Sequence, residues 1–319
     1  MFSLPIRSLA SSLLLAVASA SQAFPDKAIT IIMPFSAGTT TDVNSRDFAQ
    51  VLSEVTKQTV IVDNKVGAEG VIAGQALINA APDGHTMMYT SSSLPVLDPL
   101  MKKNLPYSPV KDFAPICSVA LTSNVMDVTA SSPYKTAADV VAAARANPGK
   151  LSFAYTSATT RLAAELFAQS NGIKLNGVPY KSSVTALTEV GSGLVDLMFI
   201  DHVSSLPFLQ AGKIRALAVA GARRIKALPD VPSATEAGIP GYNVKVWFGV
   251  FGPAKTPPAT LAKVRDAVEQ ALKRPEMLAA FDKRGLEPMP ICGDALAKFQ
   301  SDEIEVYREV LKKAGIEPQ

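Results

Sequence analysis

The sequence predicts an α/β fold made of two lobes that exchange chain twice. Three observations carry that expectation. Apolar strand-like runs alternate with helical patterns in β-α-β-α-β order over residues 29–89. That order implies parallel strands with crossover helices. The middle of the chain repeats the same design of strand, hydroxyl-rich loop and helix. Two apolar extended segments, Val125–Thr129 and Val244–Phe251, suit a pair of hinge crossovers.

In order, Ile29–Met33 reads as a strand. It ends in a turn with Pro34 and Gly38, then Thr39, Thr40, Thr41 and Asp42, before a helix over about Val43–Thr56. A strand that feeds a helix through small polar residues makes an anion-binding corner, because free backbone N–H groups and the helix dipole converge there. Thr59–Val62 is a second strand, and residues 67–81 form a helix that starts at Gly67 and Gly70 and closes at Pro82-Asp83-Gly84. Thr86–Tyr89 is a third strand, running into Thr90-Ser91-Ser92-Ser93. Phe113–Asn124 continues extended into the first hinge segment. Thr136–Ala146 is an amphipathic helix stopped by Asn147-Pro148-Gly149. Leu151–Tyr155 is a strand, and Thr156–Thr160 opens the helix Leu162–Asn171. Short strands follow at Val178–Tyr180, Val195–Ile200 and Ile214–Ala220, with a helix over Ser183–Gly191. Past the second hinge segment come helices over Pro258–Lys273, Pro275–Arg284 and Ala295–Lys313.

The first residues read as an export signal. Arg7 supplies the positive region, Leu9–Ala20 the apolar run, and Ser21-Gln22-Ala23 a small-x-Ala cleavage site. The run is shorter than the roughly 20 residues of a spanning helix. The mature chain is therefore expected to be exported as a soluble protein. The expected division is 1–23 signal peptide, 24–125 plus 246–319 first lobe, and 126–245 second lobe. Export also permits a bridge between the two cysteines, Cys117 and Cys292, but sequence gives no distance, and two separate buried thiols fit equally. A net charge of +3 is too small to argue for a nucleic acid or an anionic membrane as partner.

Reactive chemistry is sparse. No G-x-S-x-G elbow occurs, and His85 and His202 are the only histidines. No C-x-x-C, H-E-x-x-H or carboxylate-rich loop points to a metal. The glycines at 67, 70, 191 and 193 lack the G-x-G-x-x-G spacing and a Walker lysine, so turns and helix packing explain them. No cofactor, metal or catalytic group is expected. Hydroxyls at loop ends without a nucleophile are the profile of a protein that binds without reacting.

Pro34-Phe35-Ser36-Ala37-Gly38-Thr39-Thr40-Thr41-Asp42 resembles the P-F-x-x-G-G-x-x-D loop of the Bug family, the periplasmic solute receptors of tripartite tricarboxylate transporters. Further matches run through the mature chain in order. They include Val62-Asp63-Asn64-Lys65, Ala81-Pro82-Asp83-Gly84, Lys111–Pro115, Pro148–Phe153, Val178–Lys181, Val195–Phe199, Ala211–Val219, Leu228–Ser233 and Trp247-Phe248-Gly249. Each is weak alone; together, in one order, they are specific. The resemblance implies a type II-like periplasmic binding fold that closes on its ligand. It further implies a small carboxylate ligand, delivery to integral-membrane transporter subunits, and a monomer. An alternative is a receptor that signals through a membrane sensor. An enzyme of the same architecture is the more remote possibility.

Three departures from the family pattern bear on the ligand. Thr39 replaces a glycine. The second-lobe loop, usually of the form Y-G-S-S-G-x-G-[ST]-[ST]-H, reads Ala154-Tyr155-Thr156-Ser157-Ala158-Thr159-Thr160-Arg161, without its glycines. The usual D-[NS]-x-x-S reads Ile200-Asp201-His202-Val203-Ser204, with the aspartate shifted or replaced. The candidate ligand residues are Phe35, Ser36, Thr39, Thr40, Ser92, Ser157, Thr160, Arg161, Asp201 and His202. Phe35 offers a ring to stack on an aromatic ligand. Arg161 offers a bidentate contact to a carboxylate, or an i,i+4 pair with Glu165. The hydroxyls can contact ligand or cap helices, and Trp247 suits hinge packing better than ligand contact. This set points to a dicarboxylate or an aromatic dicarboxylate such as terephthalate over an amino acid.

Overall fold

The computed structural model describes residues 24–239 and 241–318. The expected signal peptide lies outside the described residues. The first sheet contains β1 (Ile29–Met33), β2 (Val60–Asn64) and β3 (Thr86–Ser91), all parallel. Its helices are α1 (Thr40–Thr56) and α2 (Val71–Ile78). A π-type turn over Ser93–Leu97 then leads into the short helices α3 (Asp98–Met101) and α4 (Pro109–Asp112).

The strand β4 (Phe113–Thr129) runs through both sheets. At about 3.3 Å per residue, its 17 residues span roughly 55 Å. The second sheet adds β5 (Ser152–Tyr155), β6 (Asn176–Pro179), β7 (Leu197–Asp201) and β8 (Ile214–Val219). Its helices are α5 (Ala137–Ala146), α6 (Ala158–Ser170), α7 (Ser183–Ser192) and α8 (His202–Gln210). The chain returns through β9 (Lys245–Pro253), which lies antiparallel between β3 and β4. It ends with α9 (Pro258–Leu272), α10 (Pro275–Arg284), the two-residue β10 (Glu287–Pro288) and α11 (Asp294–Ala314). Strand order across the molecule is β2-β1-β3-β9-β4-β7-β5-β6, with β8 and β10 also on β4. This is the expected two-lobed α/β architecture.

Local chemistry explains where the helices begin. The Thr39 side chain accepts from Asp42 N and caps α1. Ser157 and Thr160 form a capping box on α6, and Thr136 and Asp139 form one on α5. Both α1 and α6 therefore start three to four residues earlier than hydrophobic periodicity alone suggests, because hydroxyl residues fill the cap and first turn. Helix α8 was not expected at all: Pro207 lies inside it, which removes one backbone donor and disguises the pattern.

Cys117 and Cys292 are bonded, with their Cα atoms 4.0 Å apart, so the open question about the two thiols closes in favour of a bridge. The bridge ties β4 to the segment just before α11. Trp247 is buried on β9 and donates through Nε1 to Glu303 Oε2 at 2.9 Å, with Phe251 and Phe299 against its ring.

Candidate functional site

The two lobes meet at a cleft into which four helix N-termini point residues: α1, α6, α7 and α8. Each supplies cavity-lining groups: Thr39–Thr41, Ser157, Thr159 and Thr160, Ser183, and Asp201 with Ser204. The remaining lining comes from Phe35, Ser91, Asn124, Thr156, Ile200, Val246 and Phe248. A helix leaves its first four N–H groups without intrahelical acceptors, and its dipole makes that end positive. These termini attract anions, although among the described residues no Lys, Arg or His lines the cleft and the carboxylate of Asp201 does.

The first loop is built to hold this shape. Gly38 takes the left-handed turn at φ +83°, which only glycine adopts freely. Thr39 sits in the extended region at φ −72°, so replacing the family's glycine there imposes no left-handed strain. Its hydroxyl donates to Ser36 O at 2.9 Å. The loop's aspartate, Asp42, is a strut. It accepts from Arg46 Nε and Nη2, both at 3.0 Å, from Asn64 Nδ2 at 2.8 Å and from Gly38 N at 3.0 Å. Burial pushes the Asp42 carboxyl up, but these donors outweigh it and leave the group below the ordinary range. Opposite, Thr160 Oγ1 accepts from the amides of Thr156 and Ser157 at 2.9 and 3.0 Å. Those two donors are spent; the amides of Ala158 and Thr159 at the same terminus have no intrahelical acceptor.

The lobes are closed against each other. Thr40 Oγ1 donates to Asp201 Oδ1 at 2.5 Å and lies 2.8 Å from Ser204 Oγ. Ser36 Oγ donates to Lys181 O at 3.3 Å. In this arrangement the central cavity is about 40 Å³, room for roughly three waters.

Of the residues singled out in the sequence, Phe35, Thr39, Thr40, Ser157, Thr160 and Asp201 line this cavity together. Four others do not. Ser36 bridges the lobes at the rim. Ser92 is buried beneath the floor, where its amide donates to Trp247 O at 2.7 Å. Arg161 donates through Nε to Glu165 Oε1 at 2.6 Å. His202 is 1% exposed; its Nδ1 lies 3.2 Å from Thr122 Oγ1 and its Nε2 3.1 Å from Arg284 O.

Sequence reasoning passed over Thr41, Ser91, Asn124, Thr159, Ser183 and Ser204. Asn124 left little signal, since it stands in the polar stretch Thr122-Ser123-Asn124 of a strand that also carries Ser118 and Asp127. Along β9 the strand alternation sends Val246 and Phe248 toward the cavity and Trp247 away.

Comparison with known proteins places these features among relatives. The sequence profile of the tripartite tricarboxylate transporter family receptor matches residues 45–316. The chain is 30% identical to the protein BugT of Bordetella pertussis over 295 residues, which covers 92% of this chain and 90% of that protein. Among solved structures, a Rhodopseudomonas palustris protein with adipate superposes with a TM-score of 0.88 at 32% identity, covering 93% of this chain and all of that one. MatC from the same organism, with bound malate, superposes at 0.85 with 27% identity, covering 90% of this chain and all of MatC.

Proposed function

Because this chain belongs to the tripartite tricarboxylate transporter receptor family, we propose that it is a periplasmic receptor that captures a small carboxylate between its lobes and delivers it to integral-membrane transporter subunits. The observation that carries this reading is the convergence of four helix N-termini on one interlobe cavity whose polar lining is, Asp201 apart, made of neutral hydroxyl and amide side chains. Amides and hydroxyls at helix N-termini hold a carboxylate through charge-assisted hydrogen bonds without a full positive charge nearby. Adipate and malate in two structural neighbours support the ligand class.

Within that class a dicarboxylate, including an aromatic one such as terephthalate, remains part of the proposal through Phe35, whose ring borders the cavity. The second carboxylate loses one expected anchor, because Arg161 is engaged with Glu165. The proposed division is 24–125 with 246–319 against 126–245, which puts Thr40 and Asp201 on opposite lobes, and the proposed working form is a monomer.

Thermal-shift screening of the mature chain against mono-, di- and aromatic carboxylates tests the reading. A ligand at 100 times its Kd adds about 2.7 kcal/mol and raises the midpoint. Stabilisation by sugars or cations alone, with none by any carboxylate, contradicts it. Loss of carboxylate uptake on gene deletion tests delivery; intact uptake with failed gene induction would favour a sensing receptor.

A further inference from the structure

We propose that Asp201 and Asn124 form a subsite for a ligand hydroxyl, so that the preferred ligand is a hydroxycarboxylate. The inference rests on the carboxylate-receptor reading and names the ligand class of that same cleft.

Asp201 is the sole ionisable side chain among the described residues lining the cavity. It caps α8, accepting from Ser204 N at 2.9 Å. That carboxylate offsets the positive end of α8, whereas α1 and α6 are capped by the neutral hydroxyls of Thr39 and Ser157. The cleft therefore has an anion-accepting side and an anion-repelling side. A ligand carboxylate belongs at α1 and α6. A second carboxylate beside Asp201 meets a like charge with no cation in the lining to offset it.

What Asp201 does accept is a donor. A carboxylate offers about four lone-pair sites. Three are taken: Oδ1 receives Thr40 Oγ1 at 2.5 Å and Ser204 N at 2.9 Å, and Oδ2 receives Ser204 Oγ at 2.9 Å. One remains. Beside it stands a complementary group. Asn124 on β4 is the register partner of Asp201 on β7, so the two side chains share one face of the sheet, and both line the cavity. Asn124 is 1% exposed, and its Nδ2 has no hydrogen-bond partner among the described residues. A buried donor left unpaired is costly, and this one belongs to a residue that lines the cavity. An acceptor site and a free donor side by side match a group that both donates and accepts. A hydroxyl does so. An ammonium only donates, and a carboxylate only accepts.

The test measures Kd by calorimetry at pH 7.5 for two matched pairs, malate against succinate and lactate against propionate. Wild-type protein is compared with Asp201→Asn. Asparagine keeps the helix cap and removes the charge; Asp201→Ser, also a competent cap, is the second variant should the first fail to fold. In the wild type the hydroxyl-bearing member binds at least tenfold tighter than its partner. In either variant the preference falls to about threefold or less, because the charged acceptor for the ligand hydroxyl is lost. A deoxy ligand bound as tightly as its hydroxy partner by the wild type overturns the subsite, as does a preference that survives both substitutions. Failure of all four probes to bind any of the proteins contradicts the carboxylate-receptor reading itself, a distinct outcome.

Discussion

Replacing Thr40 by valine removes one hydroxyl from the closed interface with little change in shape. The hydroxyl donates to Asp201 Oδ1 at 2.5 Å across the cleft. A hydrogen bond to a charged partner contributes about 1.5–3 kcal/mol. Thr39, not Thr40, caps α1, so the helix itself is spared. The closing equilibrium should therefore shift toward open by a factor of roughly 10–150. That factor divides between two observables. If the ligand-free wild type is mostly open, ligand affinity falls by nearly the whole factor. If it is mostly closed, the closed population drops first and affinity falls by the remainder. Small-angle scattering without ligand reports the population through the radius of gyration, and calorimetry reports affinity. Changes below about threefold in both would refute the assignment of the Thr40–Asp201 bond as the latch of the closed state.

Other outcomes follow from the same structure. Arg161→Ala should leave carboxylate affinity within about threefold, because Arg161 lies outside the cavity lining and pairs through Nε with Glu165, while lowering stability by about 1–3 kcal/mol through the carboxylate left unpaired; tenfold weaker binding would put Arg161 back among the ligand contacts. Replacing both Cys117 and Cys292 by alanine opens a bridge across 175 residues and should cost about 2–5 kcal/mol, read as a lower urea midpoint; an unchanged midpoint would contradict that contribution. Burial pushes the Asp127 carboxyl up to about 7, although the hydroxyl of Ser205 opposes this. The folded state thus holds a proton that the unfolded state releases near pH 4. Stability from this group is full below about pH 4 and is lost as pH rises toward 7. Asp127→Asn should flatten that part of the stability–pH curve, and an identical slope in the variant would refute the shift.

Much of the fold was legible because its strands are apolar and its breaks carry Pro, Gly and Asn. Helix starts were less legible for a physical reason. Thr40–Asp42 and Thr159–Arg161 are polar residues inside helices, where capping overrides periodicity. Helix α8 was hidden by Pro207. The first-loop half of the site was readable because the turn, cap and helix lie contiguously in sequence. Asp201 could be named but not assigned, since its partners Thr40 and Asn124 come from other elements and only the folded register brings them alongside. Arg161 shows the converse. Its chemistry suits a carboxylate, but sequence cannot say whether that carboxylate is a ligand's or Glu165's four residues on.

The account's central claim is that a carboxylate binds where α1 and α6 begin, in the cleft between the lobes. A crystal structure of the mature chain with its tightest-binding carboxylate tests this most directly. The predicted result is a ligand carboxylate within hydrogen-bond distance of the amides of Thr40 or Thr41 on one lobe and of Ala158 or Thr159 on the other. A carboxylate bound outside that cleft, or held by side chains of one lobe alone, would contradict it.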